Sequence, residues 1–237
     1  MRLLVTRPEP DAERTATVLR ARGHDVVVAP VLRIEPVAAE FGSGPFAGVI
    51  MTSANAAQAI AGHARLAELM ALPVFAVGAR TADAARQAGF ASVASADGGW
   101  TKLVRLIAAR VRGRGARLLY VAAEDRSGDI PGALADAGLV IETVVFYRAV
   151  ATPGFARDLQ AMLRGGPLDG VLHYSRRSAQ AFVAGATAAG LLPTALKVRH
   201  YCLTVEVALP LETAGARVRI AARPEEAALI ELLSFDC

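Results

Sequence analysis

The feature that most constrains this chain is an alternation repeated six times. A short apolar run ends in Ser, Thr, Gly or a small polar turn. An Ala-rich helical stretch follows, and Gly often closes it. The runs are Leu3-Leu4-Val5-Thr6, Val49-Ile50-Met51-Thr52-Ser53, Val74-Phe75-Ala76-Val77-Gly78, Leu118-Leu119-Tyr120-Val121, Val171-Leu172-His173-Tyr174-Ser175 and His200-Tyr201-Cys202-Leu203-Thr204. Unbroken apolar runs of this length suit strands covered on both faces, as in parallel sheets. The stretches between them carry helix formers and stop at Gly23, Gly89, Gly138, Gly190 and Gly215, where a left-handed C-terminal residue is wanted. Strands alternating with helices predict an α/β fold with right-handed crossovers.

Shorter strands are predicted at Asp25–Ala29, Ser92–Ala94, Ile141–Thr143 and Val218–Ala221. That is too many strands for one small sheet, and a chain of 237 residues has room for two domains. With 54% hydrophobic residues there is material for two cores. Val31-Leu32-Arg33-Ile34-Glu35-Pro36 alternates apolar and charged residues between prolines, and Val144–Val150 is similarly extended before Pro153. Both read as exposed, paired strands crossing between domains. The expected organisation is a discontinuous first domain (1–33 plus 151–237), an inserted second domain (37–145), and linker strands at 31–36 and 144–150.

In open α/β sheets, ligands bind beyond the carboxyl ends of the strands. Here those ends carry Thr6, Ser53, Gly78, Arg126, Ser175 and Thr204, each expected just before a helix. Ala54, Asn55, Thr81 and Ser178 belong to the same turns. Free N–H groups and the positive end of the helix dipole make such places anion sites. Arg7, Arg80, Arg126 and Arg176 stand beside them as further donors. Two sheets turning these ends towards one cleft would hold a ligand rich in carboxylates or phosphates. Each Ser or Thr is also an ordinary N-cap candidate, and only the repetition favours a site.

Several function classes find no support. After no strand is there a G-x-G-x-x-G or a G-x-x-x-x-G-K-[ST] phosphate loop, and there is no G-x-S-x-G elbow. The four histidines have no metal-ligand spacing, and Cys202 and Cys237 have neither metal nor redox spacing, so no metal site is expected. The net charge of +4 is spread along the chain and aromatics are 5%, which argues against nucleic acid. The uncharged stretches 41–64 and 178–196 contain Pro and polar residues and read as packed segments, not membrane spans. The chain is expected to be cytoplasmic, with no signal-peptide pattern.

His173 and His200 lie inside apolar runs, where a hydrogen-bonded core histidine is the commoner outcome. Glu124-Asp125 is either an acid/base pair or a solvated helix start. Tyr147, on the proposed crossover strand, is either a sheet tyrosine suited to a strand or a neutral phenol donating into the cleft.

Taken in order, the segments VTRPEPDAERTATVLRARGHDVVVAPVLRIEP, MTSANAAQAI, VFAVGARTADAARQAGF, LLYVAAEDRSGDIPGALADAG, VVFYRAV, HYSRRSAQAF, CLTVEVALPLETAG and VRIAARPEEAALIELL resemble the uroporphyrinogen-III synthase family over essentially the whole chain. The resemblance implies two three-layer parallel-sheet α/β domains joined by a two-stranded β ladder, with the active site in the cleft between them. It implies a lyase that cyclises and dehydrates hydroxymethylbilane with inversion of the terminal pyrrole ring, in tetrapyrrole biosynthesis. No metal or cofactor is implied. It makes Tyr147 the catalytic candidate, assisting departure of the hydroxyl. Thr6, Ser53, Ser175, Ser178 and Thr204 match cleft-lining polar positions, and Gly78–Thr81 matches a VG-x-x-T segment. Ala122-Ala123 and His173 depart from the family pattern. A monomer receiving its substrate by transient handover from hydroxymethylbilane synthase is expected. The rival readings are a non-catalytic, two-lobed binding or sensory module for an anionic small molecule, and a two-lobed glycosyl- or nucleotidyl-transferase.

Overall fold

The computed structural model describes residues 1–126 and 128–235. Cys237 lies outside them. The strands are β1 (Arg2–Val5), β2 (Asp25–Val28), β3 (Leu32–Pro36), β4 (Gly48–Met51), β5 (Val74–Ala76), β6 (Val93–Ser95), β7 (Arg117–Ala123), β8 (Val140–Ala151), β9 (Gly170–His173), β10 (Arg199–Cys202) and β11 (Val218–Ile220). The helices are α1 (Asp11–Arg20), α2 (Ala54–Ala61), α3 (Ala79–Gln87), α4 (Trp100–Arg110), α5 (Ile130–Ala135), α6 (Arg157–Gly165), α7 (Arg176–Ala188), α8 (Leu192–Ala195), α9 (Val205–Thr213) and α10 (Glu226–Glu231).

The chain divides into two compact units. Unit 1 is Met1–Arg33 with the chain from Val150 onward, and unit 2 is Ile34–Ala149. The chain passes between them twice, within β3 and within β8. These two strands are neighbours in one sheet. Val37 donates to the Phe146 carbonyl and Thr152 to that of Val31, so the numbering runs in opposite senses and the pair is antiparallel. β8 is a single strand where a short strand and a separate extended segment were expected. It is long because it serves two partners, β7 on one side and β3 on the other.

Unit 1 holds a five-stranded sheet, order β11-β10-β9-β1-β2, with every neighbour parallel. From β1 the chain builds outward to β2, then returns to the other side of β1 for β9, β10 and β11. The order therefore reverses between β1 and β9. Leu3, Val5, Leu172 and Tyr201 point to one face, where α1 and α10 supply Ala12, Ala16, Leu19, Leu229 and Ile230. His173 and His200 point to the other, against Phe182 of α7. Gly170 is required by a close approach, because a Cβ there would lie 2.5 Å from the Tyr201 ring.

Unit 2 holds a six-stranded sheet, order β3-β8-β7-β4-β5-β6, parallel throughout except for β3. Its order reverses between β4 and β7. Val49, Met51, Leu119 and Val121 face a core built with α2 and α3. Ile50, Leu118, Tyr120 and Ala122 face a second core with α4 and α5. Both faces of each sheet are thus covered, which is why the strands read as continuous apolar runs.

Candidate active site

Each sheet has one place where neighbouring strands lead their connections to opposite faces, and open α/β sheets bind ligands at the carboxyl edge of such a place. In unit 2 it lies between β4 and β7. β4 runs into Thr52 and Ser53, and Ser53 caps α2, its hydroxyl accepting from the Asn55 N–H at 3.2 Å. Thr52 Oγ1 meets the Tyr120 phenol at 3.1 Å.

Tyr147 reaches this edge because β8 is irregular. Ala122 pairs with Val145, but Ala123 pairs with Tyr147, so two residues oppose one and the alternation resets. Regular pairing would leave Tyr147 on the face of Val145 and Ala122. The bulge turns it onto the α2 face, where it packs with Met51 and Val121 and is 4% exposed. Burial raises the Tyr147 phenol above its ordinary pKa, a hydrogen bond with the Ser53 side chain opposes that rise, and Tyr120 adds to it. The phenol is therefore neutral at physiological pH, with the Ser53 side chain beside it.

The other positions expected here differ in kind. Gly78 caps α3 without a side-chain bond, leaving the first N–H groups of that helix to solvent or ligand. Ala54 and Thr81 are buried, and Arg80 is exposed. Arg126 does not precede a helix directly: α5 starts at Ile130, capped by Asp129, and Arg126 folds back onto the Ala123 carbonyl at 2.9 Å. β7 needs several residues to reach α5, so the strand end and the helix start separate. Glu124 and Asp125 are exposed in the same turn.

In unit 1 the order reverses between β1 and β9. Ser175 caps α7, accepting from the Ser178 N–H at 3.1 Å, and the two hydroxyls are 2.9 Å apart. Arg176 is exposed at the first turn. Thr204 caps α9 by accepting from the Val207 N–H. Thr6 departs from the expected role. The chain from Arg7 to Pro10 separates it from α1, and the fully buried hydroxyl donates to the Leu172 carbonyl at 3.0 Å, tying β1 to β9. Arg7 departs as well. It bonds Asp11 at 2.9 Å and Glu226 at 3.3 Å and stacks on the Tyr174 ring at 4.2 Å. Glu226 also accepts from Thr15 at 2.6 Å and Arg14 at 2.5 Å. Burial works to raise the Glu226 carboxyl, but these donors and charges hold it below the ordinary carboxylate value. The cluster fastens α10 to α1 and β9.

Local charge sorts the helix starts. The first turns of α2, α3 and α7 carry no acidic residue, so their dipoles are uncompensated. The start of α1 carries Asp11 and Glu13. That of α9 carries Glu206, whose carboxyl is lowered by the Thr204 side chain and by its own backbone N–H. The chain's own carboxylates thus lie at the starts of α1 and α9, while the first turns of α2, α3 and α7 carry none.

His173, the last residue of β9, and His200 are buried in the unit 1 core and bonded to each other at 3.0 Å. Cys202 is buried beside them in register with His173, and burial pushes its thiol up to about 12. Among the described residues, no three His, Cys, Asp or Glu side chains gather to hold a metal ion. Among them too, no helix is long and apolar enough to cross a membrane. Sequence reasoning missed Thr52 and Tyr120 as members of the unit 2 cluster. Their one signal is a hydroxyl in an otherwise apolar run, in mid-strand for Tyr120 and just past the end of β4 for Thr52.

The family model for uroporphyrinogen-III synthase HemD matches residues 13–231. No curated protein matches the chain. Among solved structures, a uroporphyrinogen-III synthetase from Helicobacter pylori 26695 aligns over the whole of both chains at 18% identity, with a TM-score of 0.69. A mutant uroporphyrinogen III synthase from the extremely thermophilic bacterium Thermus thermophilus aligns over all of this chain and 97% of its own, also at 18% identity, with a TM-score of 0.55. At that identity the two structures establish a shared fold.

Proposed function

The chain belongs to the uroporphyrinogen-III synthase family, and we propose that the carboxyl edges of its two sheets carry out that family's reaction. Hydroxymethylbilane is cyclised and dehydrated with inversion of its terminal pyrrole ring, giving uroporphyrinogen III for tetrapyrrole biosynthesis. The observation that carries the reading is the bulge that sets the buried Tyr147 phenol against Ser53, at the open start of α2.

The hydroxymethyl C–O bond breaks as Tyr147 gives its proton to the departing oxygen, which leaves as water. This produces an azafulvenium ion on the substrate and a phenolate on Tyr147. The Ser53 hydroxyl stabilises that phenolate by a hydrogen bond. The substituted carbon of the terminal pyrrole attacks the cation, forming a spiro intermediate, and rearrangement closes the macrocycle. The proton lost from the pyrrole carbon returns to Tyr147, so the site ends as it began. Burial keeps the phenol protonated before the step, as a donor requires.

The reactants need little chemical help, because the bilane closes unaided to the uninverted isomer. What the enzyme supplies is orientation. The uncompensated starts of α2 and α3 in unit 2, and of α7 in unit 1, take substrate carboxylates on backbone N–H groups, with Ser53, Asn55, Gly78, Ser175 and Ser178 around them. Arg80 and Arg176 add charge. Thr6, Arg7, Arg126 and Thr204 play supporting parts, since their polar groups already serve the chain. By its chemistry the enzyme is a lyase. It works as a cytoplasmic monomer that takes the labile bilane from hydroxymethylbilane synthase by transient handover.

The test is a coupled assay with hydroxymethylbilane synthase, resolving the product isomers. Adding the protein shifts the product from isomer I to isomer III. Isomer I alone would overturn the reading in favour of a binding module.

A further inference from the structure

Tyr120 sits in the α4/α5 core of unit 2, 2% exposed, among Ile50, Phe75, Leu103 and Ile107. A phenylalanine would pack there as well. Its hydroxyl serves a separate purpose: it spans from β7 to the end of β4 and bonds Thr52 Oγ1 at 3.1 Å. The register sets Tyr120 beside Ile50, so the phenol reaches forward along the sheet to the residue where β4 leaves it. The next residue is Ser53, which caps α2 and whose side chain lies beside Tyr147.

We propose that Tyr120 is a positioning residue for the dehydration step: through Thr52 it fixes the exit of β4, and with it the Ser53 hydroxyl that partners Tyr147. The inference rests on Tyr147 as proton donor. On its own side of the helix start, the Ser53 hydroxyl accepts from the Asn55 N–H at 3.2 Å. The Tyr120–Thr52 bond is a strut placed immediately upstream of it. Without the strut the last residue of the turn swings, and the Ser53–Tyr147 bond loses its alignment. Hydrogen-bond strength falls steeply with angle.

The experiment is steady-state kinetics on Tyr120→Phe and Thr52→Val, each alone and combined with Tyr147→Phe. Both single variants keep the ring or branched shape and remove the same hydrogen bond from opposite sides. Each should lower kcat about tenfold, the effect of one misaligned hydrogen bond, with KM and the proportion of isomer III unchanged. Added to Tyr147→Phe, neither should cause further loss, because the group it aligns is gone. Wild-type kcat in both single variants would overturn the inference, as would a full multiplicative loss on top of Tyr147→Phe. A fully active Tyr147→Phe would remove the premise as well. A damaged Tyr147→Phe beside intact Tyr120→Phe and Thr52→Val would sink the positioning role alone.

Discussion

Acid should destabilise unit 1 well before the carboxylates titrate, and the cause is the His173–His200 pair. His200 Nε2 lies 3.1 Å from the Ala195 carbonyl, which can only accept, so that nitrogen carries the proton. Its Nδ1 is then an acceptor, and His173 Nε2 donates to it at 3.0 Å. Both rings are neutral, fully buried, and set edge-on against Phe182. The Nδ1 of His173 is buried with no partner among the described residues. Burial lowers His200 from 6.5 to about 4. Burial, with the neighbouring His200 charge, lowers His173 well below its ordinary value.

In the unfolded chain each histidine binds a proton near pH 6.5, whereas the folded protein refuses it until far lower pH. The stability this represents is complete above about pH 6.5 and is lost as pH falls towards 4. For His200 alone the loss between about pH 7 and pH 5 is about 2 kcal/mol, and His173 adds to it in the same direction. Urea unfolding at about pH 7, 6 and 5 measures it through the midpoint. Glu226, Glu68 and Glu206 all have carboxyls lowered below 4.5, so they are silent across this window. His24, also lowered, remains in the control, a His173→Leu/His200→Leu double variant, and so cancels. The double variant should lose only the share that His24 contributes, so the parent chain should fall by about 2 kcal/mol or more beyond it. An unchanged midpoint in the parent chain, or an equal fall in the double variant, would refute the reasoning.

Tyr147→Phe keeps the packing of the ring but removes the donor, and should lower turnover about tenfold or more while the unfolding midpoint stays within error. Full activity in that variant would take Tyr147 out of the chemistry. Gly170→Ala brings a Cβ to 2.5 Å from the ring of the fully buried Tyr201, and should cost about 1–3 kcal/mol of stability, read in urea. An unchanged midpoint would mean that Tyr201 yields freely.

The readable parts of this fold follow from burial on two sides. Because helices cover both faces of each sheet, Leu3–Val5, Val49–Met51, Leu118–Val121 and Val171–His173 could tolerate few polar residues, and the strands stand out as runs. The caps at Ser53, Ser175 and Thr204 were readable for an equally local reason, since one side chain satisfies a backbone N–H two or three residues on. The surroundings of Thr6 and Arg7 were not readable, because they are set by partners that the turn itself does not reveal. Arg7 answers to Glu226, and Thr6 to the Leu172 carbonyl. No local pattern encodes a bond between the first strand and the last helix.

Tyr147 shows the same limit at the centre of the site. Counted along an unbroken strand from Val145, its side chain faces α4 and α5, away from Ser53. Only the pairing of β7 with β8 shifts it, by opposing Ala122 and Ala123 to three residues instead of two. An inserted residue in a strand costs one ladder bond and leaves no mark in hydropathy. Its effect here is to place a phenol on the face where α2 begins with no acidic residue of its own. A neutral donor beside an uncompensated helix dipole can protonate a leaving hydroxyl without repelling a polyacid, whereas Asp or Glu in place of Tyr147 would set a charge against every substrate carboxylate. Under the mechanism proposed here, the bulge and the bare helix start act as one device: the first delivers the proton donor, and the second keeps its surroundings hospitable to anions.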